Sequence, residues 1–409
     1  MKNILSDYSG KFFILLFTLI FSLQSYSQNL ESILSETWVN SSWENSNLQT
    51  MSYDFNNHLV SNLSQNWDSV NNLWVNNTLI SFTNNLNGAV SQAVVQVWDS
   101  SGGVWNNSQR LTYTYNVSDQ LLTAMIETWA SGNWINFSLQ SNTYDASNFL
   151  INNISQTWDT SSGSWKNSTQ SNYTNDVNGN ATEIITQSWD TSGVWNNSQR
   201  TTNTYNISDQ MLTSVTDIWI SNAWQAFFNL SNTFDANGNL INNVAQTWDF
   251  ISSGWVNSSQ TNSTYDSNNY LINQQLQMWD AGAGSWVNST QSDYTNNTDG
   301  TVSELIVQTW DSTASSWNNF QKLTYTYSFV TGIYEITESE IIAYPNPVTN
   351  KLLIKNLNGE IVITDVSGRI LKREFCFNSM EKAEIDLHSF APGIYFLRTK
   401  DSVFRFVKE

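Results

Sequence analysis

The chain of 409 residues is poor in proline, in cysteine and, for most of its length, in basic side chains. Its three prolines are Pro345, Pro347 and Pro392, so none interrupts the long segment before them. Proline removes a backbone donor, and its absence suits an unbroken hydrogen-bonded sheet. The single cysteine, Cys376, excludes an internal disulfide bond.

Basic residues are scarce in one part of the chain only. Residues 28–336 hold four basic and 24 acidic side chains (4 − 24 = −20), whereas residues 337–409 hold ten of each. All 20 tryptophans lie in the acidic part. We therefore predict a repeat domain at 28–336 and a second domain at 337–409. Phosphate contacts need lysine and arginine, so no nucleic-acid partner is expected.

The first 27 residues predict a secretory signal peptide. Lys2 and Lys11 precede the apolar run from Phe12 to Leu23, and Ser25 and Ser27 supply the small residues of a cleavage site. The run is short for a membrane span, which leaves a retained anchor as the alternative. The mature protein is expected to start near Gln28.

The acidic part is built from a strict repeat. Nine pairs of tryptophans lie 24 residues apart, for example Trp224 with Trp248 and Trp255 with Trp279. We number each unit from its leading tryptophan, so that the closing tryptophan is position +24. Position +14 always tolerates a positive φ angle: Asn57, Gly88, Asp119, Asn148, Gly179, Asp209, Gly238, Asn269 and Gly300.

This pattern predicts a β-hairpin in every unit. A three-residue loop ending at +14 pairs +11 with +15, as in Asp235 and Asn239, and then places +10 opposite +16 and +2 opposite +24. Shorter turns join the units, such as Ser131-Gly132, and keep each closing tryptophan opposite the next leading one.

The predicted fold is all-β. Ten tryptophan pairs, from Trp38/Trp43 to Trp310/Trp317, give about twenty antiparallel strands in chain order. Residues 107–122 recur almost unchanged at 197–212, three units later, which indicates duplication of unit triplets. A stagger between hairpins would roll the sheet into a barrel, a spiral or a coiled ribbon. An outer-membrane barrel is the less favoured alternative, because strands such as Trp255–Tyr265 are too polar at their centres.

Two roles are open for the tryptophans. They can form a thin aromatic core, or an exposed platform on which sugar rings stack. Position −2 from each closing tryptophan is Gln, Glu or Asp and should face the asparagine at +2 of the next unit, which predicts an amide ladder beside the rings. The candidate ligand platform comprises Trp98, Trp105, Trp158, Trp165, Trp248 and Trp255.

The long turns contain oxygen-rich stretches such as Asp235-Ala-Asn-Gly-Asn239, but not the spacing of an EF-hand calcium loop. A plain turn with one left-handed residue explains them. The stretches at 234–240 and 143–150 also resemble the YD, or RHS-type, repeat, whose hairpins form spiralling shells. That resemblance implies hairpins only, since the arginine that usually follows the glycine is missing.

The last 70 residues carry an ordered set of motifs. They read Tyr344-Pro345-Asn346-Pro347, then Asp365-Val-Ser-Gly368-Arg369, then Gly393-Ile-Tyr395 and a basic end at Lys408. In this order they strongly resemble the type A C-terminal sorting domain of the type IX secretion system of Bacteroidota. The resemblance implies a small immunoglobulin-like sandwich that directs export. It also implies later removal of this domain, with release of the protein or its attachment to surface lipopolysaccharide.

Nothing in the sequence predicts catalysis, a metal or a cofactor. His58 and His388 have no partner nucleophile or ligand set nearby in the chain. The expected protein is a secreted or surface-displayed repeat protein with an adhesin-like binding role, with glycans as the candidate ligands. A purely structural spacer or fibre is the alternative.

Overall fold

The computed structural model describes residues 28–54, 56–329, 342–355, 359–365, 369–376, 383–398 and 403–409. These residues fall into two compact units that divide between Ser328 and Phe329. The predicted signal peptide at 1–27 and the predicted domain boundary after Ile336 lie outside the described residues.

The first unit consists of twenty strands, and all of them are antiparallel to their neighbours. The strands are β1 Gln28–Val39, β2 Ser42–Tyr53, β3 Leu59–Asp68, β4 Leu73–Asn84, β5 Val90–Asp99, β6 Val104–Tyr115, β7 Leu121–Ala130, β8 Asn133–Tyr144, β9 Leu150–Asp159, β10 Ser164–Asn175, β11 Ala181–Trp189, β12 Trp195–Tyr205, β13 Met211–Ile220, β14 Ala223–Phe234, β15 Leu240–Asp249, β16 Gly254–Tyr265, β17 Leu271–Asp280, β18 Ser285–Asn296, β19 Val302–Asp311 and β20 Ser316–Phe329.

Each strand pairs with the next in the chain, and β20 pairs with β1, so the sheet is a closed ring. The predicted all-β hairpin array is confirmed. The sequence left an open, a spiral and a closed sheet as alternatives, and the structure is closed.

The turns follow the prediction at both ends of the hairpins. All nine residues at position +14 have positive φ angles, from 58° at Asp119 to 91° at Gly179. In the turn that begins at Asp235, the Asp235 N–H donates to Asn239 O at 2.9 Å. At the other end Trp248 lies opposite Trp255, as predicted, and Gln246 lies opposite Asn257.

The predicted register is wrong in the middle of the strands, because β-bulges shift it by one residue. Tyr265 (+10) pairs with Leu271 (+16) as expected, but Thr264 then pairs with Asn273, so that Ile272 is the extra residue. Position +4 (Ser259) therefore pairs with +23 (Met278), and the predicted pairing of +2 with +24 does not form. A bulge strengthens local twist, which a single-sequence pattern does not reveal.

The stagger explains why the sheet closes. A line across the strands runs from Gln260 to Gln277 and then to Asn288, that is, from position +5 of one unit to +2 of the next. The same displacement recurs in every hairpin, which tilts all strands in one direction. Constant tilt and stagger are the condition for closing a sheet on itself.

The second unit is a small sandwich of two sheets. Its strands are β21 Ile342–Tyr344, β22 Lys351–Lys355, β23 Gly359–Asp365, β24 Ile370–Cys376, β25 Ala383–Asp386, β26 Gly393–Arg398 and β27 Val403–Lys408. One sheet has the order β21-β22-β25 and the other β24-β23-β26-β27. Leu352, Ile385, Ile363, Leu397 and Phe406 from both sheets form one buried core.

Candidate functional site

The ten tryptophan pairs lie at equivalent positions around the closed sheet and form a belt on one face, here called the tryptophan face. Ring centroids within a pair are 4.8 Å (Trp219–Trp224) to 5.1 Å (Trp158–Trp165) apart, and the rings meet edge to face. Edge-to-face contact at this distance is a favourable aromatic geometry. The remaining candidate platform residues form pairs of the same kind, Trp98 with Trp105 and Trp248 with Trp255.

The tryptophans are only partly covered. None of the twenty is fully buried, and Trp129 is the most exposed at 37%. No described hydrogen bond uses an indole N–H, and the buried side-chain atoms without a partner in the described residues are Asn203 Oδ1, Thr364 Oγ1 and Arg398 Nε. The indole N–H groups therefore have no hydrogen-bond partner among the described residues and are not sealed from solvent. The belt is neither a closed core nor a set of isolated surface rings.

A belt of side-chain amides runs beside the tryptophans, as predicted. Gln156 Nε2 donates to Asn167 Oδ1 at 2.9 Å, and the equivalent bond forms in six further units. These bonds use the oxygen of each asparagine and leave its NH₂ group without a partner among the described residues. Each of these seven units thus presents an asparagine donor next to two indole donors.

On the face opposite the tryptophans, hydrogen bonds join side chains of one unit to carbonyls of the preceding unit. Tyrosine and asparagine side chains at position +10 donate to the carbonyl at +16 of the preceding unit, as Tyr115 does to Val90 O at 2.8 Å and Asn175 to Leu150 O at 2.9 Å. These carbonyls lie next to the bulges, where the ladder is interrupted. Burial raises the pKa of Tyr113, which lies on the same face, to about 12.

The long turns of neighbouring units contact one another at position +14. Where +14 is glycine, the side chain at +15 of the preceding unit covers it: Tyr270 covers Gly300, and an added Cβ would lie 2.5 Å from its ring. Phe149 covers Gly179, His58 covers Gly88 and Gln210 covers Gly238 in the same way. These contacts join neighbouring long turns along one rim of the sheet, and the contact of His58 with Gly88 is one of them.

Seven of the ten short turns beside the tryptophans begin with an aspartate that caps them. Asp190 accepts from Ser192 Oγ at 2.8 Å and from Val194 N at 3.0 Å. The Ser192 bond is the main cause of the lowered pKa of the Asp190 carboxyl. Because these carboxylates accept bonds from their own loop, turn capping accounts for them.

All four basic residues of the repeat domain are in ion pairs. Arg110 binds Glu127 at 2.5 Å, Arg200 binds Asp217 at 2.6 Å, Lys322 binds Glu36 at 2.5 Å and Lys166 binds Asp159 at 3.2 Å. The first three cations also lie over a tryptophan, with Arg110 5.0 Å from the centre of the Trp134 ring. These pairs are not predicted from the sequence, although the acidic residues at position −2 stand out in it.

The sorting-motif residues are mostly structural parts of the sandwich. Asn346 holds the last strand through Oδ1, which accepts from Val407 N at 2.9 Å. Tyr395 is buried, stacks on Phe406 and donates to Ala391 O at 2.7 Å. Arg369 pairs with Asp365 at the surface.

Other motif residues occupy the strand ends. Tyr344 ends β21, both peptide bonds before Pro345 and Pro347 are cis, and Gly393 at the start of β26 lies opposite Lys408. Gly368 and the side chain of Cys376 lie outside the described part.

The other residues that could serve as metal ligands have partners close by in the chain. His388 contacts Asp386 at 2.9 Å on the surface. In the oxygen-rich turn at 235–239, Asp235 accepts from Asn237 N and Asn239 N. Within the described ranges no cluster of three His, Cys, Asp or Glu side chains has metal-binding geometry, and no helix there is long and apolar enough to cross a membrane.

Comparison with known proteins identifies the second unit. Residues 342–408 match the family model described as "Secretion system C-terminal sorting domain". The predicted sorting domain is thereby confirmed, and the protein is exported to the cell surface or secreted. The domain implies contact with the type IX secretion machinery. No curated protein matches the chain.

Solved structures resemble the chain only distantly. A porin-like protein from Bacteroides uniformis is 11% identical, covers 73% of this chain and 98% of its own, and has a TM-score of 0.31. The Photorhabdus luminescens Tc holotoxin pore is 9% identical over 91% of this chain and 24% of its own, with a TM-score of 0.26. A DUF3836 protein from Bacteroides vulgatus is 17% identical over 22% of this chain and 89% of its own, with a TM-score of 0.19. Likeness at this level does not bear on function.

Proposed function

We propose that this exported protein is a non-catalytic, adhesin-like binding protein that holds glycan chains on its tryptophan face. The observation that carries the proposal is the belt of partly exposed tryptophans with free indole and asparagine donors. Aromatic rings suit the apolar faces of sugar rings, and a few oriented polar groups suit their hydroxyl oxygens.

The repeat supports an extended ligand. Neighbouring strands lie about 4.8 Å apart, so successive units present equivalent tryptophan pairs about 10 Å apart across the strands. A polymer that contacts several units gains affinity by multivalency, even when each contact is weak. A glycan chain is favoured over a small sugar for this reason.

A non-catalytic role is supported by the state of the carboxylates beside the belt. Glu127 and Asp217 accept two bonds each from an arginine, and Glu36 pairs with Lys322. Glycoside hydrolysis needs two carboxyl groups that flank one bond and exchange protons with it. Carboxylates that are each bound to a cation are poorly suited to that work.

A glycan-array screen of the full chain, followed by titration with the best oligosaccharide, tests the proposal. We expect Trp158→Ala with Trp165→Ala to weaken binding by about tenfold or more while the fold survives, since stacking and two donors are lost. Trp158→Phe with Trp165→Phe keeps the rings but loses the N–H donors, and should fall between the wild type and the alanine variant.

Two further measurements sharpen this test. Asn167→Asp removes the free NH₂ group and should weaken binding, whereas Val97→Thr on the opposite face, where Val97 is 44% exposed, should not. The bound oligosaccharide should also protect the tryptophans from acrylamide quenching. A protein that binds no glycan, or whose ligand gives no protection, would instead be the structural spacer or fibre.

A further inference from the structure

The contact between the first and last strands closes the sheet, and it has no covalent turn to hold it. Nine long turns join the strand pairs from β2/β3 to β18/β19, and β20 meets β1 where the tenth would lie. Asn29 takes part of the role of the missing turn, since its Nδ2 donates to Asn57 Oδ1 at 3.2 Å and its carbonyl accepts from Ser328 Oγ at 3.4 Å. We call the β20–β1 contact the seam.

One pair of facing positions distinguishes the seam from most hairpins. In each hairpin the residue at +5 lies directly opposite the residue at −2 from the closing tryptophan. Seven of the nine hairpins carry an uncharged pair there: Leu48/Gln65, Leu79/Gln96, Leu139/Gln156, Gln170/Gln187, Asn229/Gln246, Gln260/Gln277 and Gln291/Gln308. A hairpin held by its turn therefore needs no charge at this site.

The seam carries a matched ion pair at the equivalent site. Lys322 is at +5 of the last unit and Glu36 is two residues before Trp38, and their side chains are 2.5 Å apart and largely shielded from solvent. Lys322 also lies 5.4 Å from the centre of the Trp43 ring. Only two hairpins have the same arrangement, Arg110/Glu127 over Trp134 and Arg200/Asp217 over Trp224.

Acidic side chains at position −2 and basic side chains at position +5 are matched along the whole repeat. An acid occurs at position −2 in three units, at Glu36, Glu127 and Asp217, and each faces one of the three cations at +5. The two internal pairs lie three units apart, at the period of the 107–122 and 197–212 duplication. The seam thus uses the same contact as the two units that carry the duplicated segments.

We propose that the Glu36–Lys322 pair determines which strand edges join, so that β20 accepts β1 and the chain of twenty strands closes into a ring. Exposed edge strands pair readily with any other edge. Contact between two β1 edges would bring acid against acid, and contact between two β20 edges would bring cation against cation. Unlike charges remain only for β20 with β1, and the tether within one chain favours the intramolecular contact over that between copies.

The test is a charge swap in the full chain, read by amide hydrogen exchange and by oligomeric state. Lys322→Glu places two acids at the seam, and Glu36→Lys places two cations there. Each should speed exchange in β1 and β20 by about tenfold or more while β10 and β11 stay protected, and a mixture of the two variants, in which unlike edges meet only between copies, should form oligomers. The double variant E36K/K322E restores unlike charges and should return to a monomer with exchange near wild type.

Two controls separate closure from general stability. The internal swap variants R110E and E127K should raise exchange in β6 and β7 without oligomers, because the turn at Asp119 still joins these strands. The variant E36Q/K322Q places an uncharged pair at the seam, as in the seven uncharged hairpins. Its amide exchange in β1 and β20 should be faster than in wild type but slower than in either single charge variant. The proposal is overturned if E36K/K322E behaves like the single variants, if the singles leave β1 and β20 as protected as wild type, or if wild type itself is an oligomer joined at the seam.

Discussion

Among the described residues, the C-terminal sandwich buries eleven apolar side chains, including Leu352, Leu397 and Phe406, whereas the much longer repeat sheet buries four: Phe82, Val90, Ala93 and Ala245. The sandwich is an ordinary small domain whose stability comes from removing apolar surface from water. The sheet cannot rely on this source, and other contacts must offset the entropy of ordering some 300 residues.

The sheet replaces a core with contacts that repeat around the ring. Every strand is hydrogen-bonded on both sides, because closure leaves no free edge. The tryptophan pairs, the Gln–Asn amide bonds and the tyrosine-to-carbonyl bonds each add a modest amount per unit. Stability in the sheet is therefore distributed over many units, while stability in the sandwich is concentrated in a few side chains.

Removing strands tests the distributed character of the sheet and should give the largest effect. Deleting residues 224–254 takes out one whole unit, β14 and β15, and we expect a folded ring of the remaining eighteen strands (20 − 2). Deleting only residues 235–254 takes out β15 and leaves nineteen strands. A closed ring with an odd number of strands cannot have every neighbour antiparallel, so this variant should not fold. Circular dichroism and cooperative thermal unfolding measure both outcomes, and equal tolerance of the two deletions would contradict the hairpin model.

Concentrated stability in the sandwich predicts a large effect from one side chain. Phe406→Ala should cost about 3–5 kcal/mol of unfolding free energy, since the ring is fully buried between the two sheets. Ile394→Ala in the neighbouring strand is the control and should cost far less, because Ile394 is 42% exposed.

The protein supplies two separate probes for this test. All tryptophans precede the sandwich, so their fluorescence reports the sheet alone. Phe406→Ala should leave the tryptophan unfolding curve unchanged and speed amide exchange in β26 and β27. A shifted tryptophan curve would mean that the two units do not unfold independently.

The sequence predicted the features that depend on neighbours in the chain. Positive φ angles at Asp119 and Gly179, the pairing of Trp248 with Trp255 and the Gln246–Asn257 contact all follow from spacing and turn chemistry. The bulge at Ile272 was missed because a bulge adds a residue without altering the composition of a strand. The Glu36–Lys322 contact was missed because it joins the two ends of the repeat domain, and only closure brings them together.

Glycine at position +14 has a smaller effect on stability, which substitution can measure. Gly300 and Gly284 both have positive φ angles, 88° and 62°, so alanine at either is strained by about 1–2 kcal/mol. A Cβ on Gly300 also meets the Tyr270 ring, whereas nothing lies within 4 Å of one on Gly284. Gly300→Ala should therefore destabilise the sheet more than Gly284→Ala in denaturant titrations. Combining Gly300→Ala with Tyr270→Ala removes the clash but not the strain, so the added cost of Gly300→Ala should fall to that of Gly284→Ala. If the cost is the same with and without Tyr270, packing between neighbouring turns does not decide where the repeat uses glycine.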